Sequence, residues 1–204
     1  MRKKLFCFLF IAYFFIVLPT GSSDKDYYPL SEDQLWEYEI TGEKPEQSVN
    51  LRFETGKPRN LHGYEAMPLL VSGPTGRPNV VFMSKNHIGI FQIGGPQELH
   101  SALPSEDIPS ELTYILKFPL DIETSWHNKH PNGMELSQIE SISDTVTVPA
   151  GTFIQCILVR TVVKTSSGAQ QSEKATWFAP GVGPIKEVSQ GQVNYVMQLK
   201  SFRH

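Results

Sequence analysis

Two histidines three residues apart, His127 and His130 in Trp-His-Asn-Lys-His, form the most metal-like pair in the chain. On a helix, residues three apart share a face and could reach one zinc ion; on a strand they point to opposite faces. Asn128, Asn132 and Gly133 favour a surface loop here, and no acid or cysteine stands at a ligand spacing, so the pair is a weak metal candidate. Cys156 lies in an apolar run between Gln155 and Ile157, where burial is expected rather than the exposed, electropositive setting of a nucleophilic thiol. Asp121, Glu123 and Glu135 are carboxylates of the type that hydrolyse glycosides, but nothing places two of them about a sugar. Gly-x-Ser-x-Gly is absent, which removes the strand-turn-helix setting of a serine hydrolase. The expectation is a protein with no catalytic motif and no cofactor.

Trp-Phe-Ala-Pro-Gly-Val-Gly-Pro-Ile-Lys, from Trp177 to Lys186, looks most like a nucleotide loop. A dinucleotide fingerprint needs glycines at the first, third and sixth positions, and counting from Gly181 the third is Gly183 but the sixth is Lys186. A Walker loop fails too, because Lys186 follows Ile185 and precedes Glu187. The next residues alternate as a strand does, so no helix N-terminus is available to hold a phosphate. The stretch reads as a turn between strands.

At the N-terminus, Arg2, Lys3 and Lys4 precede an apolar run from Leu5 to Leu18, followed by Thr20, Gly21, Ser22 and Ser23. This is the layout of a secretory signal helix, shorter than the roughly 18 to 20 apolar residues of a spanning segment. Residues 1–23 are therefore read as a signal peptide, giving an extracytoplasmic protein, periplasmic or secreted, that meets the membrane only through its presequence. Cleavage would remove three cations and no acid, leaving 15 Lys and Arg against 21 Asp and Glu, a net charge near −6. Such an acidic chain without a basic run is unsuited to nucleic acid. Only Cys156 would remain, so no intrachain disulfide could form.

What could hold any of these residues in place is a sheet. Trp36, Tyr38 and Ile40 alternate with Glu37 and Glu39; Val49, Leu51 and Phe53 alternate with Asn50, Arg52 and Glu54; Val193, Tyr195, Met197 and Leu199 share one side near the C-terminus. Turn residues separate these runs at Gly56-Lys57-Pro58, Gly73-Pro74, Pro149-Ala150-Gly151, Ser167-Gly168 and Gln190-Gly191. The pattern predicts a mainly β chain: one antiparallel meander forming a strongly curved sheet, or a half-open or closed β-barrel, over a single domain 24–204, with a sandwich as the alternative. A long loop is expected near 94–111. The run Thr152–Lys164 is apolar at alternate positions on both faces, which predicts a central strand covered on both sides.

Three stretches carry a resemblance: Tyr27 to Ile40 (YYPLSEDQLWEYEI), Thr145 to Cys156 (TVTVPAGTFIQC) and Ala175 to Val188 (ATWFAPGVGPIKEV). Together they resemble a family of exported bacterial proteins that share a β-rich domain of unknown function. The resemblance implies an envelope protein with a shape similar to the half-barrels of lipoprotein carriers, and it implies no activity. This chain departs from the pattern at Pro184, where leucine is frequent, and after Trp126, where His-Asn-Lys-His replaces a strand-like run.

A curved sheet with few helices leaves a concave face to be filled or occupied. The sequence thus points to a non-enzymatic binding module holding an apolar ligand, either a lipid or a lipoprotein segment, with Trp36, Tyr38, Phe53, Phe153, Trp177 and Tyr195 as candidate lining residues. The alternative is a structural subunit that docks an envelope protein partner through a sheet edge or the 94–111 loop.

Overall fold

The computed structural model describes residues 26–43, 48–74, 76, 78–95 and 112–204. The expected signal segment 1–23 and almost all of the expected loop 94–111 lie outside the described residues. Thirteen antiparallel strands follow one another: β1 (Leu35–Gly42), β2 (Val49–Thr55), β3 (Arg59–Leu61), β4 (Tyr64–Ser72), β5 (Asn79–Lys85), β6 (Gly89–Gly94), β7 (Thr113–Lys117), β8 (Ser125–His130), β9 (Gly133–Val148), β10 (Gly151–Thr165), β11 (Gln170–Ala179), β12 (Gly183–Gly191) and β13 (Tyr195–Arg203). They form one sheet in the order β7-β6-β5-β4-β2-β1-β13-β12-β11-β10-β9-β8, with β3 paired to β4. The β1–β13 pair joins the first and last of these strands, and the sheet curls into a nearly closed barrel. Its one unsealed seam lies between β7 and β8, the two ends of that order.

Period-two alternation sends one face of each strand inward. Trp36, Tyr38, Leu69, Met83, Ile90, Leu116, Ile139, Ile157, Phe178, Ile185 and Leu199 fill the interior as one apolar cluster. A second cluster, around Ala66, Val80, Phe82, Phe91 and Ile93, lies on the outer face of β4–β6, packed with Leu61 and Tyr64 from the β3–β4 hairpin.

The three stretches that carry the resemblance meet at one end of the barrel. Residues 26–30 lie across that end, with Tyr27 and Tyr28 buried. The Tyr27 hydroxyl donates to the Gln155 carbonyl at 2.9 Å, the Tyr28 ring packs tilted against Phe178 with centroids 6.3 Å apart, and Gly181 N–H donates to the Asp26 carbonyl at 2.7 Å. The Ala-Pro-Gly-Val-Gly stretch is a turn, as its spacing predicts: Gly181 and Gly183 have φ of +75° and +101°, which glycine adopts without steric cost. Its Val182 carbonyl accepts the Trp36 indole N–H at 2.7 Å. The Val-Pro-Ala-Gly turn closes the same end, with Ala150 N–H donating to the Leu199 carbonyl.

Three expectations about individual segments change. Strand β10 is internal to the sheet, paired to β9 and β11, but its second face is not covered: Ile154 is 63% exposed, and Leu158 and Val162 are half-buried, because among the described residues no second layer lies outside this wall. A bulge at Ile154–Gln155, with Gln155 at φ +57°, also breaks the alternation and turns Cys156 fully inward. His127 and His130 stand on strand β8, not in a loop, since pairing with β9 supplies the order that local composition does not. Val193 is 62% exposed in the turn before β13, so the inward row begins at Tyr195.

Candidate functional site

The barrel has one plugged end and one end with inward-facing side chains still half-exposed. At the second end, directly paired residues of neighbouring strands share a face. Val159, Thr176, Glu187, Met197, Ile40 and Val49 stand opposite one another in turn across β10, β11, β12, β13, β1 and β2. The row beyond it, nearer the opening, is polar: Ser137, Thr161, Lys174, Ser189 and Tyr195. On the facing wall the inward residues are apolar, Leu51, Phe53, Val71 and Val81, all half-buried. The interior of this end is therefore divided, with hydroxyls and charges from β8–β13 on one side and aliphatic and aromatic side chains from β1–β5 on the other.

Two carboxylates enter the polar side, and their surroundings differ. Glu135 faces Lys174 Nζ at 3.6 Å and His130 Nε2 at 3.5 Å, so a cation stands beside it. Glu187 accepts from two neutral hydroxyls, Thr176 Oγ1 at 2.9 Å and Tyr195 Oη in a short contact. Burial first, then the Glu187 charge, pushes the Tyr195 phenol well above its ordinary value. Burial also raises Tyr38, with smaller contributions from Tyr28 and from Glu187. The Tyr38 hydroxyl meanwhile donates to the Pro184 carbonyl at 2.7 Å, and its ring packs on Phe53 at 4.9 Å. An aromatic floor thus lies below the Glu187 row.

The six aromatic candidates from the sequence are not all in one place. Tyr195 lies in the polar row nearer the opening and Phe53 stands on the inner face of β2 opposite Trp36, both half-buried. Trp36 and Tyr38 are buried in the core. Phe153 lies toward the plugged end, 6.0 Å from Phe202. Trp177 is on the outer face, opposite Leu158, where its indole N–H donates to Asp144 at 2.9 Å and Lys186 lies over its ring. His127 pairs with Leu136 on the outer face, whereas His130 is opposite Gly133 on the inner side, so the two do not converge. Among the described residues no three His, Cys, Asp or Glu side chains gather as metal ligands. Asp121 and Glu123 lie in the β7–β8 connection, away from Glu135 in β9. Cys156 is buried; burial first and Asp144 second push its thiol up to about 11.

Sequence reasoning passed over Glu187, Thr176 and Lys174. Their signal was available in part, because Lys174, Thr176, Glu187 and Ser189 interrupt the inward positions of two strands that otherwise continue the core. Only the strand register reveals that these interruptions are neighbours.

No protein-family model and no curated protein matches the chain. Among solved structures, a protein from Parabacteroides distasonis ATCC 8503 inferred to be a lipoprotein is similar to it, with a TM-score of 0.54 at 14% identity over 88% of this chain and 99% of that one. A protein from Bacteroides fragilis NCTC 9343, inferred to be exported and described as having a YmcC-like fold, gives a TM-score of 0.47 at 10% identity over 87% and 98%. The chain thus shares the fold of the first, a barrel-like antiparallel sheet, along nearly its whole length.

Proposed function

We propose that the protein is an extracytoplasmic, non-enzymatic binding module that holds the apolar part of a lipid or lipoprotein segment in the open end of its barrel. The observation that carries this reading is the half-exposure of inward-facing Ile40, Leu51, Phe53, Val71 and Val81, on a face whose alternation would otherwise bury them. Covering such side chains contributes about 25 cal/mol per Å² of apolar surface, the driving force of a ligand site of this kind. The leader-like N-terminus supports an extracytoplasmic location, as does the description of the Parabacteroides distasonis protein that shares the fold. The test is mass spectrometry of an organic extract of protein purified natively from its host envelope, beside protein refolded from denaturant. A stoichiometric lipid in the native sample alone is expected. A lipid-free native sample, together with no saturable uptake of an apolar fluorophore by the refolded protein, would overturn the reading.

A second reading, an interaction subunit of an envelope complex, is favoured by one feature of the outer wall. Met134, Leu136 and Ile142 are exposed on β9, beside a groove of about 500 Å³ lined by Trp126, His127, Leu136, Arg160 and Val162 among others. Replacing Leu136 with Arg would abolish co-purification of an envelope partner if that reading holds and would leave ligand uptake intact.

A further inference from the structure

The Glu187 carboxylate occupies an unusual place on the inner wall. Its own row is otherwise apolar apart from Thr176: Met197 and Ile40 follow it on β13 and β1, one and two strand spacings away, or roughly 5 and 10 Å. A carboxylate offers about four lone-pair positions, and Glu187 spends two of them on Thr176 and Tyr195. Those partners are neutral. The other inward carboxylate, Glu135, holds Lys174 and His130, so the nearby cation is already engaged. Among the described residues no Lys, Arg or His forms an ion pair with Glu187. A half-buried charge without a counter-charge, set in an apolar row, is costly unless something else supplies the opposite sign.

We propose that Glu187 is the anchor for the ammonium group of a single-chain cationic amphiphile, whose alkyl chain lies against Ile40, Leu51 and Val71. The proposal rests on the binding reading above and specifies its ligand class. Charge complementarity selects the ammonium, which takes the two free lone-pair positions of Glu187. The division of the inner face selects the alkyl chain, because the aliphatic wall begins within two strands of the carboxylate. The acidic balance of the chain without its leader, near −6, attracts the same ligand and repels its anionic counterpart.

The test uses the full-length protein and three twelve-carbon probes, dodecylammonium, dodecanol and dodecanoate, titrated calorimetrically below their micelle concentrations. Binding of dodecylammonium about tenfold or more tighter than the other two is expected, and this preference should collapse to about twofold or less in Glu187→Gln. A second variant, Lys174→Gln, removes the inward cation and should keep or widen the preference, while unfolding midpoints show that both variants remain folded. Equal binding of all three probes by the native protein, or a preference that survives Glu187→Gln, overturns the anchor and leaves the binding reading standing. No saturable binding of any probe overturns both. A lysine side chain presents the same ammonium, so an extended Leu-Lys-Leu peptide is the last arm. Binding of the peptide without dodecylammonium would overturn the assignment to a single-chain amphiphile.

Discussion

Tyr28, Tyr38 and Tyr195 show how burial at single residues sets a pH limit for this protein. Tyr28 is enclosed by the plug and its phenol is pushed up to about 12 by burial; Tyr38 and Tyr195 are raised as well. In the unfolded chain all three ionise near pH 10. Between there and their folded values the unfolded state has released protons that the folded state keeps. Stability contributed by these groups is therefore complete below pH 10 and is lost as pH rises toward and beyond 12. For Tyr28 alone the shift corresponds to on the order of 3 kcal/mol. Urea unfolding at pH 8 and pH 11 should show the midpoint falling sharply at the higher pH. Tyr28→Phe should be the less sensitive protein, and an unchanged pH dependence in that variant would refute the role of this ring. At the same scale the sequence was informative about Cys156, whose apolar neighbours announced a buried thiol. It was silent about Glu187, because one glutamate on an alternating strand looks like any solvated acid until its neighbours are known.

At the scale of elements, the seam between β7 and β8 is where the barrel depends on side chains. Asn128, 4% exposed, presents its amide to the backbone of Tyr114 in the way a neighbouring strand would. Its Oδ1 accepts from Tyr114 N–H at 2.9 Å and its Nδ2 donates to the Tyr114 carbonyl at 2.9 Å, with the Trp126 indole N–H on the same carbonyl at 3.1 Å. Asn128→Ala removes both amide partners and should cost about 2 to 4 kcal/mol, since backbone groups left unpaired lose more than the net value of the bonds. Asn128→Asp should also destabilise, because a carboxylate oxygen then faces the Tyr114 carbonyl. Thermal unfolding reads the first effect, and faster hydrogen exchange at the Tyr114 amide localises it; exchange unchanged in both variants would show that the seam is held by something else. Local composition hid this element. Asn, Lys and His are poor strand formers, and the strand exists because β9 pairs with it along its whole length.

For the whole molecule, the plug and the β1–β13 closure are the long-range contacts on which the barrel depends. Residues 26–30 touch a strand bulge and a turn that lie more than a hundred positions later in the chain, through Gln155 and Gly181. A chain beginning at Asp26 should fold with the stability of the longer one if the plug is sufficient as described. A chain beginning at Ser31 loses Tyr27, Tyr28 and Leu30, and should fall by several kcal/mol, given about 1.5 to 3 kcal/mol for each large buried side chain. It should also bind hydrophobic dyes at the opened end. Equal unfolding midpoints for the two chains would refute the plug.

Alternation, turn residues and the scarcity of helical periodicity determined that this protein is one antiparallel β-meander, curved about an apolar interior. These are local properties: a period of two chooses the face, and glycine or proline chooses the turn. The register of β10 to β13 and β1 to β2 was decided only by the tertiary structure, and with it the placement of Glu187 beside Met197 and Ile40 and the removal of Trp177 to the outer face. A shift of one residue between paired strands exchanges the inside for the outside, and bulges such as those at Glu37–Tyr38 and Trp177–Phe178 make that shift without a mark in composition. Which residues share the cavity is thus a cooperative outcome of closing the barrel, beyond the reach of any one strand's sequence.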